Sequence, residues 1–173
     1  MEWMTFVIFL CYRRLLPRLN RMTVLLTTAL FLMELYSLRS LPSYLRFLFE
    51  VLFLFQSLSD AFYQEIYVLT NIVLFLLGMT LSVLNKRPVG DLLLSITLLP
   101  LSLFLLSKYR KGIGEGDSEF LCALGSLISY PELVSCFFLA VTILLLYSRI
   151  RKKESYPLLP FLFISYVILR VAL

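Results

Sequence analysis

The chain has 173 residues, 60% of them apolar and only 16% charged, with a mean hydropathy of +0.90; that apolar share is well above that of a soluble domain and marks an integral membrane protein. There is no histidine, and Cys11, Cys122 and Cys136 are scattered, which excludes histidine-based catalytic triads and most zinc sites. The net charge of +5 gathers beside apolar runs and not along an amphipathic face, so it reads as membrane topology, with no nucleic-acid partner.

In chain order, residues 1–12 are apolar but short for a span, and Arg13, Arg14, Arg18 and Arg21 follow, with Pro17 among them. A cleaved signal peptide would carry its cations before the apolar stretch. Residues 1–21 therefore read as a short apolar segment with a basic cytoplasmic arm, and 22–173 as one helical membrane unit. Spans are predicted at 22–38, 44–59, 66–84 and 91–106, long enough for helices and without the alternation of a membrane barrel. After 108–116 comes a short helix, 117–130; Pro131 and Glu132 are read as a tight turn into 133–147, and 156–173 closes the chain. The expected fold is all-α, a polytopic bundle of about six to seven transmembrane helices. Within the spans, Glu50 lies four residues after Arg46, a spacing that suits a helix-face ion pair. Glu34 has no such partner, and Gln56, Asn71 and Asn85 are candidates for hydrogen bonds between helices.

The segment after the fourth span is the least ordinary. Lys108, Arg110 and Lys111 are followed by Gly112, Gly114 and Gly116 at every second position, with Glu115 and Asp117 interleaved. Glycines so spaced make a poor helix and a rim that another chain can approach closely. Placing the 13–21 arm in the cytoplasm and letting each span cross once puts 11 of the 16 Lys and Arg on the cytoplasmic side, the asymmetry that the positive-inside rule demands. Asp60 and Asp117, 57 positions apart, then emerge on that same face. Two carboxyls close together in a half-dry site do not both ionise readily. One can take a proton from an attacking water while the other protonates the substrate carbonyl. The alternative is that each aspartate caps a neighbouring helix, and the two roles are compatible.

The stretch GIGEGDSEFLCALG at 112–125 resembles the glycine-aspartate loop of the type IV prepilin peptidases, a branch of the GxGD intramembrane aspartic proteases. SLSDAFYQEIYVLTN at 57–71 is similar to the family's segment with the first catalytic aspartate, and RIRKKESYPLLPFLF at 149–163 to its basic loop and double-proline motif. The resemblance covers roughly residues 44–173 and implies Asp60 and Asp117 as catalytic residues. It further implies a bacterial cytoplasmic membrane location with a cytoplasmic catalytic face, and cleavage of the basic leader from pilin-like precursors after a glycine, in competence, adhesion or secretion. Proteolysis of this kind needs neither metal nor cofactor. Many bacterial members add N-methylation with S-adenosylmethionine, for which these residues show no site. Where many members carry lysine two residues after the loop aspartate, this chain has Glu119, and it lacks the paired cysteines of longer members. Gly112, Gly114 and Gly116 are candidates for holding an extended substrate, and Glu65, Glu115 and Glu119 for attracting its basic leader. Lipids are the other expected partners, and the oligomeric state is left open. A transporter or channel subunit would instead place its acids along a midplane path, and an inactive scaffold of the same fold would keep the acids without the activity.

Overall fold

The computed structural model describes residues 40–109, 114–150 and 156–172. The predicted 1–21 arm, the 22–38 span, Gly112 and most of the 149–153 basic run lie outside the described residues. Those described form six helices: α1 Leu41–Tyr63, α2 Val68–Leu84, α3 Val89–Tyr109, α4 Glu115–Leu127, α5 Tyr130–Ile150 and α6 Leu159–Ala172, with no strand among them. Successive helices run up and down, so one end of the bundle holds Asp60, Asp117, Lys108 and Arg149, and the other holds Arg46, Arg87, Glu132 and Arg170.

Local chemistry explains most of the helix ends. α1 starts after extended Ser40, with proline in its first turn, where the missing N–H costs nothing. It stops at Gln64, whose left-handed backbone (φ 54°) lets its N–H close onto the Asp60 carbonyl at 3.0 Å, a C-terminal cap by a residue other than glycine. Pro131 and Glu132 are not a turn: both lie in the first turn of α5, and the chain reverses at Ile128 and Ser129 instead. Proline fits that first turn, and the Glu132 carboxylate accepts the Ser129 N–H at 2.9 Å, satisfying a donor that the helix start leaves open.

α3 and α5 are each long and apolar enough to cross a membrane, and their large side chains (Leu94, Leu98, Leu101 and Leu105; Phe138, Leu145 and Leu146) face outward. So large an apolar surface belongs against lipid. The buried core collects around Phe53 of α1, whose ring meets Phe120 of α4 at 4.6 Å, Phe163 of α6 at 5.1 Å and Tyr166 of α6 at 5.8 Å between centroids. Short α4 is the most enclosed helix, with Phe120, Leu121, Ala123 and Leu124 all buried. It fits because glycines stand at its contacts: a Cβ at its own Gly125 would stand 2.4 Å from the Ser95 carbonyl oxygen of α3, and one at Gly78 of α2 2.0 Å from Ser126 Oγ.

The far end of α4 is tied down by Arg87. Its Nη1 donates to the Gly125 carbonyl at 2.9 Å and its Nε to Asp91 at 2.6 Å, while Asp91 also accepts the Tyr130 N–H at 3.0 Å. A cation on the last carbonyls of a helix complements its dipole. The predicted Arg46–Glu50 pair does not form: Glu50 accepts the Tyr166 hydroxyl at 2.7 Å and pairs with Arg170. Glu50 turns inward toward α6, where Tyr166 and Arg170, one helical turn apart, present two donors at once.

Candidate active site

Asp60 is the last acid of α1 and is 6% exposed. Its Oδ2 accepts the N–H of Leu159 at 3.1 Å, while Ser57, one turn earlier, donates through Oγ to the Leu159 carbonyl at 3.2 Å. Both backbone groups of Leu159 are thus held by α1. Pro157 and Pro160 explain why this residue serves: proline has no N–H, so at the start of α6 the donors left are those of Leu158 and Leu159. An open helix N-terminus also favours a negative charge on its partner. Asp60 therefore caps the start of α6, a helix 99 positions away, and not the helix that follows it.

Asp117 sits in the first turn of α4. Its N–H donates to the Gly114 carbonyl at 3.2 Å, and its Oδ2 accepts the Gly114 N–H at 3.2 Å, the reciprocal arrangement of a capped helix start. Gly114 is the extended residue before the helix, and Gly116 already belongs to the helix. The alternating glycines therefore do not keep the whole stretch out of a helix. Gly116 has a packing task instead: a Cβ there would lie 3.1 Å from Ile66, in the connection that follows Asp60's helix. Gly116→Ala is expected to push Ile66 and its neighbours aside and to lower any activity of the carboxyl pair roughly tenfold, since small displacements of reacting groups are costly. Gly90→Ala, with nothing within 4 Å of the new methyl, is the comparison, and equal activities in the two variants would refute the packing role.

The two carboxyls lie at one end of the bundle, beyond the apolar runs of the spans, and close enough to feel each other's charge. Burial, and after it the charge of Asp60, pushes the Asp117 pKa up to about 6, against the opposing hydrogen bond from Gly114. Burial also raises Asp60, partly offset by the Leu159 N–H. Below about pH 6 the pair thus favours one shared proton, held on Asp117, with Asp60 charged and seated on the helix N-terminus.

Around the pair, the candidates separate. Glu119 is exposed and accepts the Asn71 amide at 3.5 Å; Asn71 in turn accepts from Gln56 at 3.5 Å, and Gln56 also reaches the Tyr67 carbonyl at 3.3 Å. Gln56 and Asn71 thus bond between helices as their polarity suggested, whereas Asn85 ends α2 through its backbone N–H. Glu65 is exposed in the connection between α1 and α2. Glu115 opens α4, with its side chain outside the described residues. Among the described residues no three His, Cys, Asp or Glu side chains gather to hold a metal ion. Ser57 and the Leu159 backbone were not singled out from sequence; the double-proline motif is the signal that could have found the Leu159 donor, and Ser57 had none.

A model of the type IV leader peptidase family matches residues 47–149, about three-fifths of the chain. The chain belongs to the type IV leader peptidase family. Comparison with curated proteins and with solved structures finds no match. Leader peptidases of this family are membrane-embedded and characteristically aspartic, which agrees with a helical chain whose two long apolar helices face outward. The matched leader-peptidase stretch contains both Asp60 and Asp117 and ends before α6, so the Leu159 contact lies beyond it.

Proposed function

We propose that this leader-peptidase family member is an aspartic endopeptidase. It removes the short basic leader from pilin-like precursors, cutting after a glycine at the cytoplasmic face of a bacterial membrane. The observation that carries the reading is that buried Asp60 and half-buried Asp117, 57 positions apart in the chain, meet at one end of the bundle, where burial and after it the charge of Asp60 raise the pKa of Asp117, the coupling that a water-activating carboxyl pair requires.

In the proposed reaction, charged Asp60 takes a proton from a water molecule as its oxygen attacks the scissile carbonyl. Protonated Asp117 gives its proton to the carbonyl oxygen, forming a neutral tetrahedral diol. Collapse returns a diol proton to Asp117, while Asp60 passes its proton to the leaving amine, so both carboxyls end as they began. S-adenosylmethionine enters no step. The Leu159 N–H and the Ser57 hydroxyl keep Asp60 aimed, and the Gly114 N–H does the same for Asp117. Exposed Glu65 and Glu119, together with Glu115, draw in the cationic leader, and Gly114 borders the path of the extended segment.

The cation distribution supports the orientation, because Lys108 and Arg149 lie at the same end as the two aspartates. The six described helices, with short α4 packed inside them and a further span predicted at 22–38, suit a polytopic bundle. The test is incubation of the purified full chain with a precursor bearing a basic leader, a glycine and an apolar helix, the products being identified by mass spectrometry. A single cut after the glycine is expected, at a rate that falls with added salt as the leader is screened. An intact precursor in a folded preparation would overturn the assignment.

A further inference from the structure

At the end of the bundle away from the aspartates lies a partly open cavity of about 200 Å³, lined by Arg46, Ile128, Glu132, Cys136, Tyr166, Leu169 and Arg170. Arg46 is 14 residues before Asp60 on α1, about 21 Å along the helix. That separation puts the cavity in the far leaflet of a hydrocarbon layer about 30 Å thick, facing the opposite interface. Its charges are of both signs and only partly spent. Arg170 is paired with Glu50, so its charge is largely answered. Arg46 makes no hydrogen bond or ion pair among the described residues. Glu132 accepts one N–H, from Ser129, through Oε2, and a carboxylate has capacity for several more.

We propose that this cavity binds the headgroup of a zwitterionic phospholipid with a primary ammonium, a phosphatidylethanolamine. The phosphodiester meets the Arg46 guanidinium, with Arg170 beside it, and the ammonium donates to Glu132. The volume is smaller than the roughly 300–1,000 Å³ of sites for drug-sized ligands, which suits a headgroup whose acyl chains run out along Leu169 and Ile128. A plain anion fits less well: with Arg170 neutralised by Glu50, the carboxylate of Glu132 opposes the guanidinium of Arg46. A quaternary ammonium also fits less well, since it has no N–H for Glu132 to accept. Arginine is suited to the phosphate half, because its planar fork can hold two oxygens at once.

The experiment uses the full chain, stripped of lipid in detergent, with Tm read as short-chain phosphatidylethanolamine, phosphatidylcholine, phosphatidylglycerol or inorganic phosphate is added. Phosphatidylethanolamine is expected to raise Tm by several degrees and the others by clearly less. Arg46→Ala should raise about tenfold the lipid concentration needed for the same shift, the loss of one charged contact. Arg46→Lys should keep part of it, and Glu132→Gln should erase the preference over phosphatidylglycerol. Equal responses to the three lipids, a response to inorganic phosphate alone, or an unchanged response in Arg46→Ala would overturn the proposal. The chain's own preceding segment carries Glu34, six residues before Ser40 as Arg46 is six after it. If Glu34→Arg restored the lipid-free stability lost in Arg46→Glu, the cavity would belong to that segment and not to a lipid.

Discussion

Asp60→Asn and Asp117→Asn are each expected to lower precursor cleavage by about a thousandfold or more, the scale of losing a positioned acid or base. The substitution suits the question because it changes little besides the proton chemistry. Asparagine keeps the volume and an acceptor oxygen. In Asp60→Asn that oxygen can still take the Leu159 N–H that aspartate takes at 3.1 Å, and in Asp117→Asn it can take the Gly114 N–H at 3.2 Å. Neither amide can carry charge or exchange a proton with water at neutral pH. The double variant should be no worse than the worse single one, because the two carboxyls act as a unit and their losses do not add. Initial rates on one precursor, with folding checked by thermal unfolding, make the measurement. Either single variant cleaving within roughly tenfold of the wild type would end the paired-carboxyl mechanism.

The second large effect is on stability, and its direction is opposite. The Asp117 pKa is raised in the folded chain from 3.8 to about 6. Between those values the folded state binds a proton that the unfolded state has released, so wild-type stability falls as pH rises through this window and stays lower above it. An amide at this position has no charge to bury. Asp117→Asn is therefore expected to match the wild type near pH 4 and to exceed it above pH 6, by about 1–3 kcal/mol. Tm measured at both pH values checks this, and a variant less stable than wild type at the higher pH would show that Asp117 is there to hold the fold. The same titration bears on catalysis: the protonated form of Asp117 is lost above about pH 6, so cleavage should decline on the alkaline side. A residue that costs stability where it is charged, yet is held in place by its own helix start, has the profile of a functional group.

Much of this architecture was legible in the sequence because membrane helices announce themselves. Backbone groups in lipid must be satisfied within a segment, so long apolar runs separated by cations translate directly into helices. The predicted 66–84 and 91–106 became α2 and α3 with ends shifted by at most three residues. Counting cations brought Asp60 and Asp117 to one face before any coordinates, and the structure places both at one end of the bundle. Where the reading failed, a local rule met a tertiary competitor. Arg46 and Glu50 had the right spacing for a pair, but Tyr166 and Arg170 on α6 offered Glu50 two donors across a helix interface. Pro131 looked like a turn because proline ends helices, yet at a first helical turn it is welcome.

The residues alone determined the class of the molecule, its helical runs and the pairing of two acids at one end, because these follow from hydropathy and charge summed along the chain. Only the tertiary structure decided that Leu159 steadies Asp60, that Gly116 makes room for Ile66, and which arginine Glu50 holds. Those contacts join residues from about 50 to 120 positions apart. A hydrogen bond or a van der Waals fit depends on tenths of an ångström between packed helices, and no pattern along a single helix carries that distance.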